Sequence, residues 1–328
     1  MLRKPFLILA LAALTACNKA PDNPDPGTGT PPAEVPALTF TYANPLGAAT
    51  YSGTVPASAA EKVVRDLDVF LFLADGTFVC RLTEATDYTS ENNGETTTLT
   101  LSPELLSAHA GQEAVFYFVA NNNASTGGKH IAAFSGTEAE FADLPTSPLP
   151  PSNNPYTPHL AQNIALNPST GGLLMTGRSN PIRFVGRRTE TVTLKRRTAR
   201  FDIQNHNWED GLAIDNVFIS QAAVQAPLFG HAPVSHAFAT RSTEAIWGPD
   251  PWDYNEQGIA ESWFYLYPTD LGTTEITIQV RNSNNEYKYY RVDSDIDIEA
   301  NKRYRLIYRD DAFVVTDTGD WGEGGKTK

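Results

Sequence analysis

Short runs in which apolar and polar residues alternate, separated by turn residues, make up most of this chain. Ala37-Leu38-Thr39-Phe40-Thr41-Tyr42 alternates and stops at Asn44-Pro45, which predicts a first strand. Residues 63–73 form a longer apolar-rich run that ends at Ala74-Asp75-Gly76, a turn signal. Residues 77–82 resume the pattern, so the two runs read as a hairpin. Residues 96–101 alternate, and 115–120 form an apolar run of the buried type that stops at Asn121-Asn122-Asn123. Between them, 102–110 predicts a short helix with Ser102 as cap and Pro103 at its first position. The proline-rich stretch 146–158 reads as a loop, and 172–176 and 182–185 as further short strands. Residues 191–203 read as one long strand with one face buried and the other carrying Lys195 and Arg197. Later strands are predicted over 217–219, 263–267, 275–280, 287–292, 303–308 and 313–316, with 275–280 and 287–292 paired across Asn282-Ser283-Asn284-Asn285.

Many short strands with regular turn signals point to antiparallel sandwiches, because parallel sheets need long crossover connections that the pattern lacks. About 290 folded residues exceed what a single core usually holds, which favours two domains. The expected fold is therefore mainly β, with two antiparallel, Greek-key-like β-sandwich domains in tandem. The first spans 37–186 and the second 187–328, with the boundary near Gly186-Arg187. No internal repeat stands out.

The segment ahead of the first strand is of a different kind. Arg3 and Lys4 precede an apolar run from Phe6 to Leu14 that ends in Leu14-Thr15-Ala16-Cys17. A basic start, a short apolar middle and a small-residue end make a secretory signal, assigned to residues 1–16. The apolar run falls short of the roughly 20 residues that span a bilayer. Leu-Thr-Ala-Cys also resembles a bacterial lipobox, whose cysteine is acylated and becomes the new N-terminus, so Cys17 is the expected lipidation site. Residues 17–36 are rich in proline and read as an extended tether. Cys17 and Cys80 are the only cysteines. With Cys17 acylated, Cys80 has no disulfide partner within the chain and reads as a small packed hydrophobe. The formal net charge is −13, and losing Arg3 and Lys4 with the signal lowers it by two more. Such an acidic surface argues against nucleic acid as a partner, since phosphates would be repelled.

Signs of catalysis are missing. The sequence has no Gly-x-Ser-x-Gly elbow, phosphate loop, dinucleotide fingerprint or His-Glu-x-x-His helix. His231 and His236 flank a loop without an obvious carboxylate third ligand, and a plain loop is the better reading. Asp293-Ser294-Asp295-Ile296-Asp297-Ile298-Glu299 opens with the spacing of a calcium loop. It then has Ile298 where that loop needs glycine and Tyr304 where it needs glutamate, so a solvated strand face is favoured. Trp247-Gly248-Pro249-Asp250-Pro251-Trp252-Asp253-Tyr254 is the most aromatic loop, and such clusters stack on sugars. No cofactor, metal site or catalytic residue is expected, and the chain does not read as an enzyme.

In sum the chain resembles the fimbrillin family, the lipoprotein-exported pilus subunits of anaerobic Gram-negative bacteria. The likeness rests on the lipobox with the strand at Leu38, Phe40 and Tyr42 and the run 62–73 beyond it. It rests also on Gly172-Leu173-Leu174-Met175-Thr176, on Leu194-Lys195-Arg196-Arg197-Thr198-Ala199-Arg200-Phe201, and on Ile298-Glu299-Ala300-Asn301-Lys302-Arg303-Tyr304-Arg305-Leu306 with a close at Asp320-Trp321. The resemblance implies a structural subunit of a fimbria at the cell outer membrane, anchored there by its lipid and partnered by other pilus subunits, with host or bacterial surface ligands in reach. It implies assembly by strand exchange, in which a protease removes the first strand (Leu38, Phe40, Tyr42) and a neighbour's C-terminal strand (Phe313, Val314, Val315) fills the groove. The sequence departs from the stalk pattern in having no arginine or lysine from Ala37 to Ala60, which suits an uncut, membrane-anchoring subunit. Stalk and anchor roles both stay open, and a glycan-binding surface lipoprotein using the 247–254 loop is the alternative.

Overall fold

Strands with one face open keep the two-residue period of burial, while those covered on both faces lose it. The computed structural model describes residues 37–43, 64–92, 96–122, 129–146, 173–205, 213–220, 223, 226–230, 243–244, 253–254, 260–269, 275–292, 297–309 and 312–320. Among these the strands form four sheets. The first holds β4 (Tyr88–Asn92), β5 (Thr96–Leu101), β1 (Ala37–Ala43) and β9 (Arg187–Thr193), in that spatial order. The second runs β10 (Lys195–Arg196), β7 (Met175–Arg178), β6 (Glu113–Ala120), β2 (Leu67–Leu73), β3 (Phe78–Leu82), with β8 (Ile182–Arg183) also on β6. The third runs β14 (Asp253–Tyr254), β15 (Ala260–Leu266), β11 (Ala199–Asn205), β18 (Lys302–Arg309), β19 (Ala312–Asp320). The fourth runs β13 (Thr243–Glu244), β12 (Ala213–Ser220), β16 (Glu275–Arg281), β17 (Tyr287–Val292). The protein is mainly β.

The first two sheets close on one core. Phe40, Leu99, Leu101 and Val192 from one sheet meet Val69, Leu71, Phe116 and Phe118 from the other, all buried. The second sheet is covered on its far face too, where Phe70, Phe72, Val115 and Tyr117 pack with Ile131, Phe141 and Leu228. Two covered faces explain why β2 and β6 read as continuous apolar runs: neither strand has a wet side. In the other half, Tyr290 on β17 meets Tyr308 on β18 and Phe313 on β19, with ring centroids 5.3 and 5.9 Å apart.

Local chemistry sets the turns and caps. Asp75 Oδ1 accepts from the Thr77 amide at 2.9 Å in the β2–β3 turn, where Gly76 sits at φ +84. Helix α1 (Pro103–Ala108) begins as its residues predict, the Leu105 amide donating to Ser102 Oγ at 3.2 Å, with Leu105 and Leu106 turned into the core. Helix α2 (Lys129–Ala132) and helix α3 (Glu138–Ala142) follow β6. In α3 the Glu140 amide donates to Thr137 Oγ1 while Glu140 Oε2 accepts from the Thr137 amide, a reciprocal cap. The Thr137 amide, and then its hydroxyl, donate to the carboxylate and hold the Glu140 carboxyl below its usual range.

The structure corrects several expectations. Two pairings are parallel, β1 with β9 and β11 with β18. The crossover between parallel strands is supplied by intervening strands that pass through the opposite sheet, so no long helix is needed. The run expected as one strand over 191–203 breaks into β9, β10 and β11. Lys195 stays exposed, but Arg197 is buried, because the chain leaves the second sheet there and turns it inward. Sheet membership changes between Arg196 and Ala199, so the strand after Gly186-Arg187 still pairs within the first two sheets. The 172–176 strand begins only at Met175, and β4 and helices α2 and α3 add to the elements that the sequence pattern predicts.

A Ser102→Ala variant is expected to lose about 1 kcal/mol of stability through the missing cap. The urea midpoint should fall with an unchanged slope.

Candidate assembly site

The first strand lies where an N-terminal strand need not lie: inside a sheet, not at its edge. β1 pairs antiparallel with β5, Phe40 opposite Leu99, and parallel with β9, Phe40 opposite Glu190. All seven of its residues pair with β9, and the five from Thr39 to Ala43 pair with β5 as well, so most of the strand has neighbours on both hydrogen-bonding edges. Phe40 is 0% exposed, its ring 4.5 Å from Phe116 and 5.3 Å from Phe118 at tilted and edge-on angles. Such aromatic pairs add about 0.5–1.5 kcal/mol beyond area burial. Take β1 away and two things are left: facing backbone edges on β5 and β9, and an apolar slot floored by Phe116 and Phe118. Leu38 and Tyr42 share the strand, and their side chains lie outside the described residues.

The candidate donor residues sit at the other end of the chain. Phe313, Val314 and Val315 lie in β19, the last strand of its sheet, and pair with Tyr308, Ile307 and Leu306 of β18. Their faces alternate: Phe313 is buried at 6% exposure, Val314 is 52% exposed, and Val315 is half-buried. An edge strand with one apolar and one open face has the alternation that an apolar slot would accept.

The remaining sequence candidates are placed or fall outside. Cys80 lies in β3, half-buried against the first core, as a packed hydrophobe would. Cys17, His231, His236 and residues 293–296 lie outside the described residues. Of the 247–254 loop, only Asp253 and Tyr254 are described, as β14 beside Glu261 and Ala260. Asp297, Ile298 and Glu299 are tied to the sheet: the Ile298 amide donates to Thr269 O at 3.0 Å, and Tyr304 Oη donates to Asp297 O at 2.7 Å. Among the described residues no group of three or more His, Cys, Asp or Glu could hold a metal ion. None of their helices is long and apolar enough to cross a membrane.

Sequence reasoning missed a polar cluster on the far face of the second sheet. Tyr117 Oη donates to Glu138 Oε1 at 2.5 Å, while Arg178 donates through Nε to Tyr117 Oη at 2.7 Å and through Nη2 to Glu138 Oε1 at 2.9 Å. Burial, then the Glu138 bond, pushes the Tyr117 phenol up to about 12. The signal was present as Thr137-x-x-Glu140, which fixes α3 and so sets Glu138 over the sheet.

Residues 38–194 match the family model described as "Major fimbrial subunit protein (FimA)". Among solved structures, the chain is similar to the tip fimbrial protein Mfa3 from Porphyromonas gingivalis with C-terminal truncation. That match has 13% identity and a TM-score of 0.53, and covers 87% of this chain and 99% of that one. A fimbrial assembly protein from Parabacteroides distasonis matches at 13% identity and TM-score 0.50, covering 86% and 95%. A candidate cell adhesion protein from Bacteroides eggerthii matches at 18% identity and TM-score 0.53, covering 90% and 98%. At these identities the likeness is one of fold. No curated protein matches the chain.

Replacing Phe40 with alanine should cost about 3–5 kcal/mol, read as a fall in denaturation midpoint. The same measurement on Val314→Ala should move by less than about 0.5 kcal/mol, since that side chain is half in solvent. Tyr117 supplies a pH test. Its phenol holds its proton to about 12 in the fold, against an ordinary value near 10 in the unfolded chain. Its contribution is therefore complete below pH 10 and lost as pH rises toward 12. Tyr117→Phe should flatten that part of the stability curve.

Proposed function

We propose that this chain is a structural subunit of a cell-surface fimbria, a reading supported by the match of residues 38–194 to the major fimbrial subunit (FimA) family model. It acts by contact and not by catalysis. The 1–16 signal directs export, acylation at Cys17 ties the mature chain to the outer membrane, and 17–36 tethers the folded part. The folded part comprises two sandwich bodies, and the sheet pairing favours a boundary at residues 197–198 over one at 186–187.

Subunits join by strand exchange. The observation that carries this is the interior position of β1, paired on both edges with Phe40 fully buried. An interior strand at the start of a chain can be removed without cutting the rest of the sheet, and its slot offers both backbone partners and an apolar floor. A donated strand satisfies both. The segment around Phe313, Val314 and Val315 has the alternation to supply it. The absence of arginine and lysine from Ala37 to Ala60 favours a subunit that keeps β1 and its lipid, which is an anchor's condition. N-terminal analysis of the protein from its native cell separates the roles: an acyl-cysteine identifies an anchor, and a new terminus after β1 a polymerising subunit.

The test of exchange is a chain beginning at residue 60, compared with the full-length chain by light scattering during gel filtration. The shortened chain should form a series of oligomers and the full-length chain should stay monomeric. If both remain monomeric at high concentration, strand exchange is refuted.

A further inference from the structure

Residues 226–230 follow β12 and so belong by sequence to the second half of the chain, yet they lie on the first. The Thr146 amide donates to Ala226 O at 2.7 Å, Leu228 N to Leu144 O at 2.9 Å, and Phe229 N to Ala142 O at 3.0 Å. Pro145 and Pro227 form an antiparallel bridge between these bonds. Leu228 is fully buried among the aromatic side chains on the far face of the second sheet. The Phe229 ring stands edge-on to Tyr117 at 4.6 Å.

Arg197 fastens this segment from beneath. Its Nη2 donates to Pro227 O at 2.6 Å and to Gly230 O at 2.9 Å, and its own amide donates to Leu174 O at 2.9 Å. The residue is 8% exposed, and burial brings its guanidinium down to about 10. It thus stays charged at neutral pH, and its charge-assisted bonds end on backbone carbonyls. The covalent link between the halves, Arg197-Thr198, is stitched from the other side by Asn301. Asn301 Oδ1 accepts from the Arg196 amide at 3.2 Å, and the Asn301 amide donates to Thr198 O at 3.0 Å.

We propose that residues 226–230 are a clasp, locked by Arg197, that joins the two halves into one cooperative body. Domains connected at one point turn about that point, and relative motion is the ordinary expectation. Besides the 197–198 link there is the 226–230 segment, and the buried Tyr267 side chain is also hydrogen-bonded to Thr146. More than one attachment leaves no free hinge. Arg197 takes part in both the link and the clasp, its backbone lying in the one and its side chain holding the other. The inference goes beyond the assembly reading and does not depend on it.

The test uses the full-length chain with Cys17→Ser and Cys80→Ala and with cysteines at Pro145→Cys and Pro227→Cys. Facing residues in an antiparallel bridge lie about 4.5–5.5 Å apart at Cα, within disulfide range. The pair should cross-link on mild oxidation, and Arg197→Met in that background should slow the reaction by about tenfold, as expected when a buried charged hydrogen bond is lost. Without the added cysteines, the chain should unfold in one transition by both tryptophan fluorescence and circular dichroism. Arg197→Met, and independently Phe229→Ala, should separate it into two. No cross-link, a rate unchanged by Arg197→Met, or two transitions in the unaltered chain would each overturn the clasp.

Discussion

The first half of this protein hangs on the two-sided pairing of a single seven-residue strand, β1. A β-strand at a sheet edge can be lost with one row of hydrogen bonds; a strand in the interior takes two. β1 holds β5 to β9, and Phe40 holds the sheet they form to the sheet behind it. Its own sequence offers the requirements for that place: alternation, β-branched and aromatic residues, and no charge. An uncharged strand can lie between two others without burying an unpaired ion. The same lack of charge leaves shape and backbone pairing to fix the strand in its place, the condition on which the proposed exchange rests.

Four buried charged residues lie instead around the passage from the first two sheets to the third. Arg196, Arg197, Arg200 and Asp202 are all buried within one short stretch. Burying ions is costly unless they are paired and hydrogen-bonded. The structure meets that condition for Asp202 and in part for Arg197. Asp202 receives Arg200 Nε at 2.6 Å and also bonds Arg303, a two-sided ion pair spanning β11 and β18. Arg197 bonds through Nη2 to carbonyl oxygens from a segment far along the chain, while its buried Nε has no hydrogen-bond partner. Such groups are demanding about geometry, so they fix how the halves meet more sharply than an apolar patch of similar size would.

How much of this was legible from the residues varied with how local the cause was. The α1 cap at Ser102, the Asp75-Gly76 turn and the Asn282–Asn285 turn depend on a few neighbouring residues, and each was read directly. The small helix α3 was readable from Thr137 and Glu140, yet it is too short to stand out by periodicity. The parallel pairing of β1 with β9 was not legible, because no local pattern records which distant strand lies alongside. The burial of Arg197 defeated the alternation argument for a similar reason. Period two gives a face only while the strand continues, and the strand ends at Arg196. As for assembly, the sequence located the strand at Leu38, Phe40 and Tyr42 but not its interior position, which is what gives it consequence.

Parallel closure also imposes an order in time. Ala37 pairs with Arg187 and Ala43 with Thr193, so a chain made from its N-terminus produces β1 long before its second neighbour exists. Contacts that distant in sequence form late. Until β9 is synthesised, β1 is bordered by β5 alone and the nascent sandwich has a gap beside it. A newborn molecule thus passes through a half-built state in which its earliest strand is also its most loosely committed one.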